Sequence, residues 1–170
     1  MRTLYLLRHA KSDWSEAGVD DKDRPLNPRG RRGATAISEY CREHDICPSL
    51  ILCSTAVRTR ETLSFLKPAL DCKPKIEFED ALYLAGAHEI VARVRAVDNT
   101  HPTIMVIGHN PGMHHVANDL VGSDECGQST AMASKYPTAA LAQIAFATDD
   151  WSGIASGDGL LKSYVTPKML

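Results

Sequence analysis

The chain has 170 residues and a mass of 18.6 kDa, enough for one domain with a real core. Apolar residues make up 44% and charged residues 24%, which excludes global disorder and fibrous repeats. Nineteen Lys and Arg against twenty-one Asp and Glu leave a net charge of −2, so composition gives no bulk electrostatic case for nucleic acid or an anionic membrane.

Thr3–Leu7 is an apolar run of strand length that ends at Arg8-His9. Arg8 also interrupts the N-terminal apolar stretch, which is too short for a signal peptide. Asp13–Arg32 is polar and holds Gly18, Pro25, Pro28 and Gly30, so it reads as a long surface loop. Ala34, Ile37 and Cys41 recur at helical spacing. Ser49–Cys53 is a second strand, followed by a helix over about Thr55–Leu66 that Pro68 ends. Lys75–Phe78 is a weaker strand. Ile90, Val91, Val94 and Val97 share a helix face. Thr103–Ile107 is the third strong strand, and Met113, Val116, Ala117, Leu120 and Val121 form the next helical stripe. Ala139–Ala147 and Leu160–Val165 add one or two late strands. Strand–helix alternation of this kind predicts an α/β fold, a three-layer α/β/α sandwich with a largely parallel central sheet. No repeat or linker divides residues 1–170, so one domain is expected. No apolar run approaches the roughly 18 residues of a membrane span.

The five cysteines are odd in number, irregularly spaced and without a CxxC, which predicts reduced thiols in a cytoplasmic protein. Cys53 and Arg58 lie one residue short of the C-x5-R spacing of cysteine phosphatases, so Cys53 reads as a buried strand thiol. His109 and His114 are H-x4-H rather than the H-x3-H of a helical metal site, and no metal is expected. His44, His88 and His101 stand alone in polar contexts. Trp14 either shapes an entrance or anchors the core.

Three strands end in polar or ionisable segments: Arg8-His9, Ser54–Arg58 and Gly108–Gly112. Ligands of open α/β sheets bind outside the carboxyl ends of the strands. A parallel sheet would therefore bring Arg8, His9, Arg58 and His109 to one crevice. Arginine pairs bidentately with phosphate oxygens, and a neutral histidine can act as a nucleophile. Lys11 adds positive charge nearby.

Leu7-Arg8-His9-Ala10 resembles the RHG signature of the histidine phosphatase superfamily, which also contains the phosphoglycerate mutases. Ser54–Thr62 resembles its SPxxRTxET motif, and Gly108-His109 its later catalytic histidine. The short chain and Arg24-Pro25-Leu26 resemble the SixA branch, the small phosphohistidine phosphatases. The resemblance implies a phosphoglycerate mutase-like fold. It implies His9 as the nucleophile that becomes phosphohistidine, with Arg8, Arg58 and His109 around the phosphoryl group, and no cofactor. Ala10 stands where the signature has Gly, tolerable at negative φ and costly at positive φ. Thr55 replaces the motif's Pro and suits a helix N-cap.

The general acid is not singled out by spacing. Asp20, Asp21 and Asp23 lie in the loop after the first motif, and Glu77, Glu79 and Asp80 lie between the second and third; Asp21 is favoured. The expected partner is a phosphorylated protein carrying phosphohistidine. A small phosphate ester, or a non-catalytic phosphate-binding role, is the alternative. Mutase activity is disfavoured because the short middle segment offers few basic residues for a second phosphate.

Overall fold

The computed structural model describes residues 1–170. Its seven strands are β1 (Arg2–Arg8), β2 (Leu50–Ser54), β3 (Lys75–Glu79), β4 (Thr103–Gly108), β5 (Val121–Asp124), β6 (Leu141–Phe146) and β7 (Gly159–Val165). They form one sheet in the order β3-β2-β4-β1-β6-β7-β5. Four of the six pairings are parallel; β6 runs antiparallel to both β1 and β7. The expected three-layer α/β/α sandwich with a largely parallel sheet is therefore what the chain builds.

The central strands are buried on both faces, which is why they read as continuous apolar runs. Alternate residues feed two cores. Leu4, Leu6, Leu52, Ile104 and Val106 pack under α3 (Ala87–Arg95) and α4 (Gly112–Leu120). Tyr5, Leu7, Ile51, Cys53, Met105 and Ile107 pack under α1 (Pro28–Glu43) and α2 (Val57–Leu66). Edge strand β3 exposes Lys75 and Phe78, so its apolar pattern is weaker.

Several boundaries differ from the sequence expectation. The polar loop ends at Asn27, not Arg32: Asn27 caps α1 by accepting from the Gly30 N–H at 2.7 Å, and Pro28 takes the first helical position. Charged Arg29, Arg31 and Arg32 hide that first turn. Thr55 does not cap α2; its hydroxyl donates to Asp80 at 2.5 Å, and Ala56 holds the cap position. Val121 leaves the α4 stripe to begin β5. Strand β5 and helix α5 (Ser129–Ser134) fall outside the sequence expectation, because both are short and largely exposed. Cys47 and Cys72 form a disulfide with Cα atoms 5.9 Å apart, against the expectation of reduced thiols throughout. Sequence spacing hides this pair, since the two loops meet only where they enter β2 and β3. Cys41, Cys53 and Cys126 remain free. No helix is long and apolar enough to cross a membrane.

Gly30 sets how closely α1 approaches the end of β1. A Cβ there would collide with the Lys11 carbonyl oxygen. Gly30→Ala must push backbone from backbone, and a drop in Tm of about 5 °C or more is expected in thermal denaturation. An unchanged Tm would show that α1 can retreat freely.

Candidate active site

Strands β2, β4 and β1 lie side by side and parallel, so their carboxyl ends meet at one sheet edge. Arg8 ends β1 in register with Gly108 at the end of β4. The next residues, His9 and His109, consequently face each other with ring centroids 5.3 Å apart. Arg58 enters from the first turn of α2, directly after β2. These four residues line one cleft of about 290 Å³, together with Lys11, Ser12, Trp14, Asp21, Arg24, Leu84, Asn110 and Thr138.

His9 is 7% exposed, and its Nδ1 lies 2.6 Å from the Ala10 carbonyl oxygen. A carbonyl only accepts, so Nδ1 carries the proton and Nε2 keeps its lone pair. Burial pushes the His9 pKa down to about 3, and the neighbouring His109, Arg58 and Arg8 push the same way. The ring is neutral at pH 7. Ala10 is fully buried, has no positive φ, and donates its N–H to Thr62 Oγ1 at 3.0 Å. Its methyl in place of the signature glycine carries no conformational penalty.

His109 is also lowered to about 3, first by burial and then by Arg58. Its Nε2 lies 2.8 Å from Ser54 Oγ, while Nδ1 is buried without a partner. Ser54 Oγ lies 3.4 Å from the Ala56 N–H, which it accepts, and so is placed to donate its own proton to His109. When Ser54 donates that proton, the His109 proton sits on Nδ1. Arg8 donates to the Tyr136 carbonyl at 3.1 Å, and the Nε groups of Arg8 and Arg58 are buried without partners. Three buried nitrogens without partners around a neutral imidazole suit an anion that accepts.

Asp21 is the one carboxylate of this cleft. Arg58 donates to its carbonyl at 2.6 Å and to its carboxylate at 3.0 Å; Arg24 donates at 2.8 and 3.2 Å, and the Tyr83 hydroxyl donates as well. The Tyr83 bond first, then both guanidiniums, hold its carboxyl well below the usual carboxylate range. Asp21 is thus where a cleft acid was expected, but ionised. Glu77 and Glu79 pair instead with Arg93, and Asp80 with Lys22 and Thr55. None of these three lines the cleft.

Trp14 is 73% exposed at the rim, with the Arg24 guanidinium 3.3 Å over its ring, which decides between entrance and core. Burial pushes the Cys53 thiol up to about 12, in keeping with an inert strand cysteine. His114 turns away to the carbonyls of Met132 and Ala133. Sequence reasoning missed Ser54 and Tyr83 as neighbours of His109, and Arg24 as a neighbour of Asp21. Ser54 opens the second motif, and Arg24 begins the Arg24-Pro25-Leu26 run, so both carried a signal; Tyr83 carried none.

Residues 4–83 match the profile of the histidine phosphatase superfamily, branch 1. A candidate phosphohistidine phosphatase SixA from Nakamurella multipartitia superposes with a TM-score of 0.82 at 31% identity, covering 98% of this chain and 96% of that one. The chain belongs to the histidine phosphatase superfamily. A second SixA candidate, from Agrobacterium tumefaciens, gives a TM-score of 0.83 at 30% identity over 98% of each chain. An uncharacterized protein of Mycobacterium tuberculosis is 29% identical over 164 residues, 95% of this chain and all of that one. This member of the superfamily is a phosphatase with a phosphoglycerate mutase-like fold.

The depressed histidines give the phosphatase an acid-sensitive fold. Each histidine binds a proton in the unfolded chain near pH 6.5 but in the folded protein only near pH 3. Stability is therefore full above about pH 6.5 and falls as pH drops toward 3. A Tm at pH 4.5 lower than at pH 7.5 by about 5 °C or more is expected, with a smaller loss in His109→Asn. Equal pH dependence in that variant would remove His109 as a source.

Proposed function

We propose that the protein hydrolyses phosphohistidine on another protein, through a phosphohistidine formed on its own His9, within one catalytic domain over residues 1–170. The Nε2 lone pair of His9 attacks phosphorus while the substrate N–P bond breaks and the substrate imidazole leaves with that electron pair. Arg8, Arg58 and the Nδ1–H of His109 hold the phosphoryl oxygens as charge shifts through the transition state. Water then attacks the phosphorus on His9, inorganic phosphate departs, and Nε2 regains its lone pair.

The observation that carries the substrate class is the state of Asp21. An alkoxide leaving group needs a carboxylic acid beside it, kept neutral near pH 7. Here the one cleft carboxylate is tied to two arginines and a phenol. An imidazole ordinarily titrates near pH 6.5, so it takes its proton from water before it departs and needs no such acid. A panel of phosphohistidine proteins, p-nitrophenyl phosphate and alkyl phosphate esters tests this reading. Phosphohistidine and p-nitrophenyl phosphate should turn over at least about a hundredfold faster than alkyl esters, the usual contribution of general acid catalysis. Alkyl esters hydrolysed as fast as phosphohistidine would give Asp21 the acid role and make the protein a phosphomonoesterase.

A further inference from the structure

A second and larger hollow opens beside the catalytic cleft. It has a volume of about 680 Å³ against about 290 Å³, and the two share Lys11 and Thr138 as a common wall. Its sides come from four places: the residues after β1, one face of α1, the segment between α5 and β6, and the turn after β7. Gly33 and Ala36 keep the α1 side low, with Pro167 close above Gly33.

The charge of this groove is one-sided. Lys11, Arg29, Arg32, Lys135 and Lys168 line it, and no Asp or Glu does. All five are exposed, and none forms a salt bridge or a side-chain hydrogen bond within the chain. A protein of net charge −2 has thus placed five of its nineteen cations around one hollow and paired none of them there. Elsewhere some exposed cations pair, as Lys162 does with Glu125, and others such as Arg42, Lys67 and Lys73 stand singly; here five share one hollow. Concave walls of one sign concentrate counter-charge and steer it inward.

We infer that this groove docks an acidic segment of the substrate protein, next to the phosphohistidine that enters the cleft. The inference rests on the protein-phosphohistidine reading above and adds what the partner must carry beside its phosphoryl group. The size favours a peptide segment over a second phosphate. A single anion needs two or three converging donors, whereas these cations are spread along a hollow more than twice the volume of the catalytic cleft. The apolar faces of Ala36, Pro137, Pro167 and Met169 offer purchase for the stems and backbone of such a segment.

The test keeps the groove apart from the phosphohistidine chemistry. A glutamate-rich decapeptide without phosphate is titrated against p-nitrophenyl phosphate hydrolysis by the full chain. Inhibition is expected at low ionic strength, and it should fade as salt rises. In the Arg32→Gln, Lys135→Gln, Lys168→Gln triple variant the inhibition constant should rise about tenfold, because three solvent-facing cations that pair with the peptide are neutralised at once. These three residues lie outside the cleft, so circular dichroism and residual turnover report whether the variant is folded and competent. Equal inhibition of wild type and variant, or equal inhibition by a lysine-rich decapeptide, overturns the docking groove. Pyrophosphate inhibiting as well as the peptide, with the same loss in the variant, replaces it with a small-anion subsite. A second arm compares acidic and neutral phosphohistidine peptides, where wild type should favour the acidic one about tenfold in kcat/KM and the variant should not. If neither phosphopeptide is hydrolysed while the decapeptide still inhibits, the substrate reading fails and the groove stands.

Discussion

His9→Ala removes turnover, with an expected loss on the order of ten-thousand-fold or more in kcat on every substrate. The reason is positional as well as chemical. His9 sits where β1 ends, with its Nδ1 proton committed to the Ala10 carbonyl and its ring held neutral by burial. Only Nε2 can attack, and no other nucleophile with that geometry lines the cleft; His109 faces Ser54 with the corresponding nitrogen. The variant should fold, because the β1 core residues Leu4, Leu6 and Leu7 are untouched. Rapid quench with a ³²P-labelled substrate should trap acid-labile phosphoprotein in wild type and none in the variant. Turnover near wild type in His9→Ala would end the proposed mechanism.

Arg58→Ala should cost about a thousandfold in kcat/KM, the scale of losing one guanidinium from a phosphoryl clamp. Two effects combine. The cleft loses donors for the phosphoryl oxygens, and the Asp21 carboxylate loses one of its cations while still facing the incoming anion. Lysine should not restore the loss, because Arg58 spans the Asp21 carbonyl and carboxylate with two separate nitrogens, a fork that an ammonium lacks. The double variant Arg58→Ala, Asp21→Asn should recover about tenfold over Arg58→Ala, since coupled residues do not add. Recovery absent in the double variant would mean that Asp21 exerts no repulsion on the bound anion. Arg58→Ala matching wild type would remove Arg58 from the clamp.

The parallel half of the fold was legible because its strands are buried on both faces and its helices carry apolar stripes. Thr3–Leu7 and Thr103–Ile107 are unbroken apolar runs, and the structure pairs them residue for residue. The convergence of Arg8, His9, Arg58 and His109 followed from the same parallel arrangement. What stayed hidden depends on contacts distant in sequence. Strand β5 is half exposed and holds Gly122, so only its pairing to β7 defines it. The Cys47–Cys72 bridge joins loops with a sequence separation of 25 residues. The bond that lowers the Asp21 carboxyl most comes from Tyr83, which is 62 residues away and belongs to no motif. The groove cations come from four separated segments, and no local charge run announces them. The expectation that basic residues would be scarce considered only the middle of the chain.

The ring of bonds around Asp21 means that the resting enzyme already holds an anion of its own at Arg58. Under the proposed mechanism, a phosphate that takes the terminal nitrogens of Arg58 does so by exchange with this carboxylate, which its own loop keeps close by. A tethered competitor acts at a fixed effective concentration however dilute the protein is. It therefore weakens the ground-state grip on substrate and on inorganic product alike, while leaving untouched any contact made only as the phosphoryl group transfers. Departure of phosphate would then leave no bare, desolvated guanidinium behind, because the carboxylate would return to the bonds it holds at rest. A cleft this cationic would otherwise tend to retain phosphate, and under the proposed mechanism Asp21 would turn release into a swap between two anions.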